Sequence, residues 1–79
     1  MVLVQEVLLH ALGQRVRARR TLLGLSQEQL AERAGLHRNY VGGIEQGRRN
    51  VATVNLVRLA IALEVDPGEL LANLHRRRP

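Results

Sequence analysis

The chain has no cysteine, no lysine, no tryptophan and no phenylalanine, and Tyr40 is its single aromatic residue. Without cysteine there is neither a disulfide framework nor a thiolate metal site, so the fold has to rest on packing. One tyrosine cannot supply the row of rings on which unpaired bases stack, which argues against a module for RNA or single-stranded DNA. His10, His37 and His75 lie far apart in sequence and His10 has too little company for a metal site, so no metal and no other cofactor is expected. No serine or cysteine accompanied by histidine and acid, no paired inward carboxylates and no phosphate-cradling glycine loop is visible, and an enzyme is not expected. The apolar start, MVLVQEVLLHAL, lacks a charged leader and a small-residue cleavage site, and is too short to cross a bilayer. The expectation is a soluble cytoplasmic protein with no membrane partner.

What is present is arginine. All twelve basic residues are arginine, against seven aspartates and glutamates, for a net charge of +5. That balance favours a polyanionic partner. Seventy-nine residues allow one domain, taken here as 1–79. A chain of this size buries only about 60% of its unfolded surface, so a partner subunit is expected on size alone.

The most informative stretch is QEQLAERAGLHRNYVGGIEQ, residues 27–46. Ser26 suits an N-cap, and Gln29 stands three residues later as a capping box requires. Leu30, Ala31 and Ala34 then carry one apolar face, and Gly35 supplies the left-handed residue that ends a helix at no steric cost. Leu36, Val41 and Ile44 resume the pattern before Gly47 stops it again. The second helix is too short to stand alone and must be held by packing. Two short helices crossing over a tight turn need a small side chain where they meet, which Ala31 provides, while Leu30, Leu36, Val41 and Ile44 fill the angle between them. The outward face keeps His37, Arg38, Asn39, Tyr40, Gly42, Gly43 and Gln46.

A small residue at the fifth position of this stretch, glycine at the ninth and apolar residues at the tenth, fifteenth and eighteenth resemble the Cro/CI-type, or XRE, helix-turn-helix family. With its flanking helices the resemblance covers residues 12 to 72. HRNYVGGIEQGRRN is most similar to the controller proteins of restriction-modification systems and to their transcriptional-repressor relatives. The resemblance implies an all-α, compact five-helix domain of the lambda-repressor-like type, with the helix-turn-helix at 27–46 and a second helix that enters the DNA major groove.

Residues 3 to 23 carry an apolar stripe at Leu8, Leu12, Val16 and Leu23, read as a first long helix ending at Gly24. Arg20 falls one turn after Val16 and points inward, where a guanidinium needs a carboxylate. Two readings stand: a structural ion pair with Glu45, which the family resemblance also implies, or a side chain that reaches solvent along its apolar stem. Gln14, Arg15 and Arg19 read as a solvated face. Arg48, Arg49 and Asn50 form a short basic loop after the recognition helix, where the resemblance implies phosphate contacts that fix register. Gln27, Tyr40 and Gln46 join them as expected backbone contacts. Base reading is expected from Arg38, Asn39 and His37, because Gly42 and Gly43 have no side chain to offer. The two glycines either let the helix approach the groove closely or are merely tolerated in a packed helix. His37 and Ala52 look like weak caps for their helices.

Residues 53 to 64, TVNLVRLAIALE, are apolar almost all round, as in a helix central to a core or shared with another subunit. Asp66 and Pro67, with Glu69 three residues after the aspartate, announce a last helix running to about His75. Leu63, Val65, Leu70 and Leu74 are assigned to a dimer interface within residues 54–75, with burial inside one subunit as the competing reading. The basic tail, 76–79, is expected to add weak attraction to DNA. These features predict a homodimeric, sequence-specific, double-stranded DNA-binding transcriptional regulator acting on a two-half-site operator, with RNA polymerase as a further partner that such a regulator admits. The alternative is a protein-interaction module of antitoxin-like or coactivator-like type on the same fold.

Overall fold

The computed structural model describes residues 2–74, which form five α-helices and no strand among the described residues. They are α1 (Val2–Leu22), α2 (Gln27–Ala34), α3 (Arg38–Glu45), α4 (Thr53–Leu63) and α5 (Pro67–Leu71). The all-α, five-helix expectation holds.

The starts and stops follow local chemistry. Ser26 accepts from the Gln29 amide at 3.0 Å while the Gln29 side chain accepts from the Ser26 amide at 2.8 Å, which completes the capping box of α2. Gly35, at φ 70°, ends that helix and hands its N–H back to the last turn. Asp66 caps α5 through the Gly68 amide. Ala52 leaves α4 without a side-chain cap, as expected. The weak-cap expectation fails at His37, whose Nδ1 accepts from the Asn39 amide at 3.0 Å. A neutral imidazole offers one unprotonated nitrogen, and here it serves the purpose that serine or aspartate usually serves. The last helix is also shorter than expected. Ala72 is extended and Asn73 has φ 61°, which breaks the helical path after Leu71. His75 and the arginine tail lie outside the described residues.

Helix α3 packs against α1 and α2, and α4 packs against α2, α5 and α1. Between them Val16, Leu30, Val41, Ile44, Leu59 and Leu63 are sealed from water, each contributing about 1.5–3 kcal/mol of transfer free energy. Two members of the expected dimer surface belong to this core. Leu63 is fully buried and Leu70 is 3% exposed, while Val65 and Leu74 pack half-buried against them. The apolar surplus lies elsewhere, with Val54 at 63% and Ile61 at 71% exposure on α4. The helix is apolar almost all round, and α1, α2 and α5 occupy the side that carries Leu56, Leu59, Ala60 and Leu63.

The solvated reading of Arg15 and Arg19 is likewise corrected. Arg19 Nε donates to the carbonyl of Leu63 at 2.9 Å, and Arg15 donates to the carbonyls of Glu69 and Leu70 at 3.3 Å each. Helix carboxyl ends carry unpaired carbonyls and partial negative charge, so two guanidinium groups from α1 satisfy α4 and α5 together.

Gly13 sits where α1 crosses the end of α3. A Cβ there would collide with the carbonyl of Ile44 and lie 2.6 Å from that of Glu45. Both obstacles are backbone, so α1 would have to lift from the helix it holds. Gly13→Ala is expected to destabilise the fold by roughly 2 kcal/mol net, overpacking outweighing the gain in helix propensity. Chemical denaturation measures this, and a variant as stable as the parent would show that the crossing is looser than described.

Candidate nucleic-acid interface

The site is built on a buried charge pair. Arg20 Nε donates to Glu45 Oε2 at 2.7 Å, and Arg20 Nη2 donates to Oε1 at 3.1 Å. The remaining guanidinium nitrogen, Nη1, donates to the Leu25 carbonyl at 2.7 Å, and Gln27 Nε2 donates to Glu45 Oε1 at 3.0 Å. The Glu45 side chain is 2% exposed and that of Arg20 14%. A forked guanidinium on a carboxylate is directional as well as charged, so the pair sets the angle between α1 and α3 while Gln27 ties in α2. Arg20 therefore takes the ion-pair role and does not reach along its stem to solvent. Gln27, expected at the DNA backbone, commits its side-chain amide to this network. Its main-chain N–H, in the first turn of α2, has no intrahelical acceptor.

Held by that pair, α3 turns its amino end outward. His37, Arg38 and Asn39 are all exposed, and the cap on His37 satisfies the Asn39 amide. Arg38 Nη1 lies 3.6 Å from Glu28 Oε1 across the gap between α2 and α3. Both side chains are largely in water, and such a pair contributes about 0–1 kcal/mol, little enough for the guanidinium to leave it. Gln46 follows α3, also exposed, and the loop beyond presents Arg48, Arg49 and Asn50 to solvent. His37, Arg38 and Asn39 thus share one polar, basic surface with Gln46, Arg48, Arg49 and Asn50 along α3 and its following loop.

Gly42 and Gly43 differ in surroundings. Gly42 faces the Gln27 side chain with room to spare: a Cβ there would stand 3.5 Å from Gln27 Oε1, an ordinary van der Waals contact. Gly43 is buried under Arg49, and a Cβ there would stand 2.8 Å from Arg49 Cγ. Arg49 then extends over the Tyr40 ring, with 5.9 Å from Cζ to the ring centroid. Tyr40 itself is half-buried, and its hydroxyl oxygen accepts from Asn55 Nδ2 at 3.2 Å. Sequence reasoning passed over Asn55, and no local pattern announces it, because the contact joins α3 to α4.

Residues 16–70 match the helix-turn-helix family profile. The chain belongs to that family. Helix-turn-helix proteins of this XRE type are DNA-binding transcription regulators, not enzymes. Among curated relatives, control protein C.SmaI of Serratia marcescens is 48% identical over 60 residues, spanning 76% of this chain and 71% of its own length. Among solved structures, the restriction-modification controller protein C.AhdI from Aeromonas hydrophila superposes with a TM-score of 0.77 at 56% identity, covering 78% of this chain and 94% of that one. The master regulator for biofilm formation SinR, solved in complex with DNA, reaches a TM-score of 0.73 at 33% identity over 76% of this chain and 97% of its own. Among the described residues no helix is long and apolar enough to cross a membrane.

Proposed function

We propose that this helix-turn-helix protein acts as a homodimeric controller of a restriction-modification system, binding double-stranded DNA at an operator of two related half-sites. The observation that carries the reading is the exposed amino end of α3, with His37, Arg38 and Asn39 beside the basic loop, in a chain closely similar to several controller proteins. In that reading α3 enters the major groove. Arg38, Asn39 and His37 meet base edges, where a guanidinium fits the O6 and N7 of guanine. Tyr40, Gln46, Arg48, Arg49 and Asn50, with the main-chain N–H of Gln27, meet phosphates on either side and fix the register. RNA polymerase is the further partner through which an operator-bound regulator acts on transcription. A footprint on the DNA upstream of its own gene tests the proposal. Two protected half-sites, roughly 34–36 Å apart, are expected, and a single unpaired site would overturn it.

The second subunit is placed on the outer face of α4. Val54, Val57 and Ile61 follow one another at helical spacing on one side, at 63%, 38% and 71% exposure. A two-fold axis across that face covers apolar surface on both copies at once. Ile61→Asp is expected to convert the dimer into a monomer of 8.9 kDa without unfolding it, because the side chain lies outside the core. Sedimentation at micromolar concentration reads the result, and a parent protein that already runs as a monomer would remove the interface from the account.

A further inference from the structure

We infer that Asn55 and Gly43 are positioning residues that preset Tyr40 and Arg49 as a single donor unit for one DNA backbone phosphate. The inference rests on the DNA-binding reading above and adds to it two residues that are themselves withdrawn from the surface, Gly43 being buried and Asn55 half-buried.

A tyrosine hydroxyl has one hydrogen to donate and lone pairs with which to accept. Free in water it does both, in no fixed direction. Here Asn55 Nδ2 donates to the oxygen at 3.2 Å, from the helix that follows the loop. The acceptor side is thereby occupied, and the hydroxyl hydrogen is directed away from Asn55. Accepting one hydrogen bond also polarises the O–H and makes it a better donor.

Arg49 completes the unit from the face of the ring. Its Cζ stands 5.9 Å from the Tyr40 centroid, in the range where a cation is attracted to an aromatic face. The stem lies across residue 43, where a Cβ would stand 2.8 Å from Arg49 Cγ and force the stem to shift. Guanidinium N–H groups over the ring face and one phenolic O–H at the ring's edge are thus offered by one packed pair of side chains, and the guanidinium offers no acceptor to compete. A phosphate diester, with its charged acceptor oxygens, is the ligand that such a donor set fits. Gly43 is in this account neither a mere tolerance nor an aid to groove entry: it is the seat of Arg49.

The test is a double-mutant cycle on the full chain, titrated into the duplex upstream of its own gene and into a scrambled duplex. Tyr40→Phe and Asn55→Ala are each expected to weaken binding to both duplexes by roughly three- to tenfold, the range of one hydrogen bond. The double variant should bind no more weakly than Tyr40→Phe alone, because Asn55 acts only through the hydroxyl. Circular dichroism at the assay temperature confirms that every variant is folded, which separates positioning from simple destabilisation. A second cycle stands independently: Gly43→Ala should weaken binding and flatten its salt dependence, yet change nothing further in an Arg49→Ala background. Asn55→Ala binding within twofold of the parent, or weakening the Tyr40→Phe background as much as the parent, would overturn the Asn55 role. Additive effects in the second cycle would overturn the Gly43 role. A parent that binds no duplex at all would instead remove the DNA-binding reading on which both depend.

Discussion

Replacing either Arg20 or Glu45 by alanine is expected to destabilise the fold by about 3–5 kcal/mol, since each leaves the other charge buried without its partner. Glu45 would retain only Gln27 for a carboxylate that is 2% exposed, and Arg20 would retain only the Leu25 carbonyl. At about 4–8 °C per kcal/mol for a domain of this size, either loss lowers the melting temperature by tens of degrees. The double variant should be much less damaged than the sum of the singles, because no charge then remains to be compensated. Thermal unfolding of the three variants checks this. Single variants that melt within a degree or two of the parent would mean that the bridge is open to solvent.

The second large effect separates reading DNA from holding it. Arg38 lies in the first turn of α3, exposed and tied only to the equally exposed Glu28. Arg38→Ala is expected to cost about 1–3 kcal/mol on the true operator and to relax preference at one base pair in each half-site, as removal of a bidentate guanine contact should. Arg49 lies beyond the helix, over the Tyr40 ring. Its charge displaces counterions whatever the base, so Arg49→Ala should weaken all duplexes equally and reduce the salt slope by roughly one unit per subunit. Titration of both variants against operator and scrambled duplex distinguishes the two. The reverse pattern, with discrimination lost at Arg49 and kept at Arg38, would mean that α3 docks differently.

Much of the fold is legible in the chain because each signal is local. Ser26 and Gln29 announce the start of α2, Gly35 its end, and the spacing of Leu30, Val41 and Ile44 the angle between the two helices. Arg20 could be read as well, since an arginine one turn beyond Val16 on an apolar stripe requires an anion. The failures share a cause of another kind. Helix α4 is apolar almost all round, with Thr53, Asn55 and Arg58 as its polar residues, so its periodicity does not settle that Leu63 faces inward and Ile61 outward; the placement of its neighbours decides. Arg15 and Arg19 look like surface charge until the carbonyl ends of α4 and α5 arrive beside them. Nothing in the local pattern of α1 announces the role of Gly13, which comes from the end of α3 set against it. His37 looks like a weak cap because cap preferences rank serine and aspartate far ahead, although its imidazole nitrogen accepts the same bond. At the interface, the exposed residues of α3 and its loop were readable as a polar face, whereas Gln27 and Asn55 acquire their roles from helices distant in sequence.

The central claim is that α3 reads a specific DNA sequence, and the most direct measurement is the affinity of the full chain for the duplex upstream of its own gene against a scrambled duplex at several salt concentrations. The account predicts a preference of about a thousandfold or more at physiological salt, retained as salt rises while both affinities fall. Equal binding to the two duplexes, weakening together until both are lost, would contradict it.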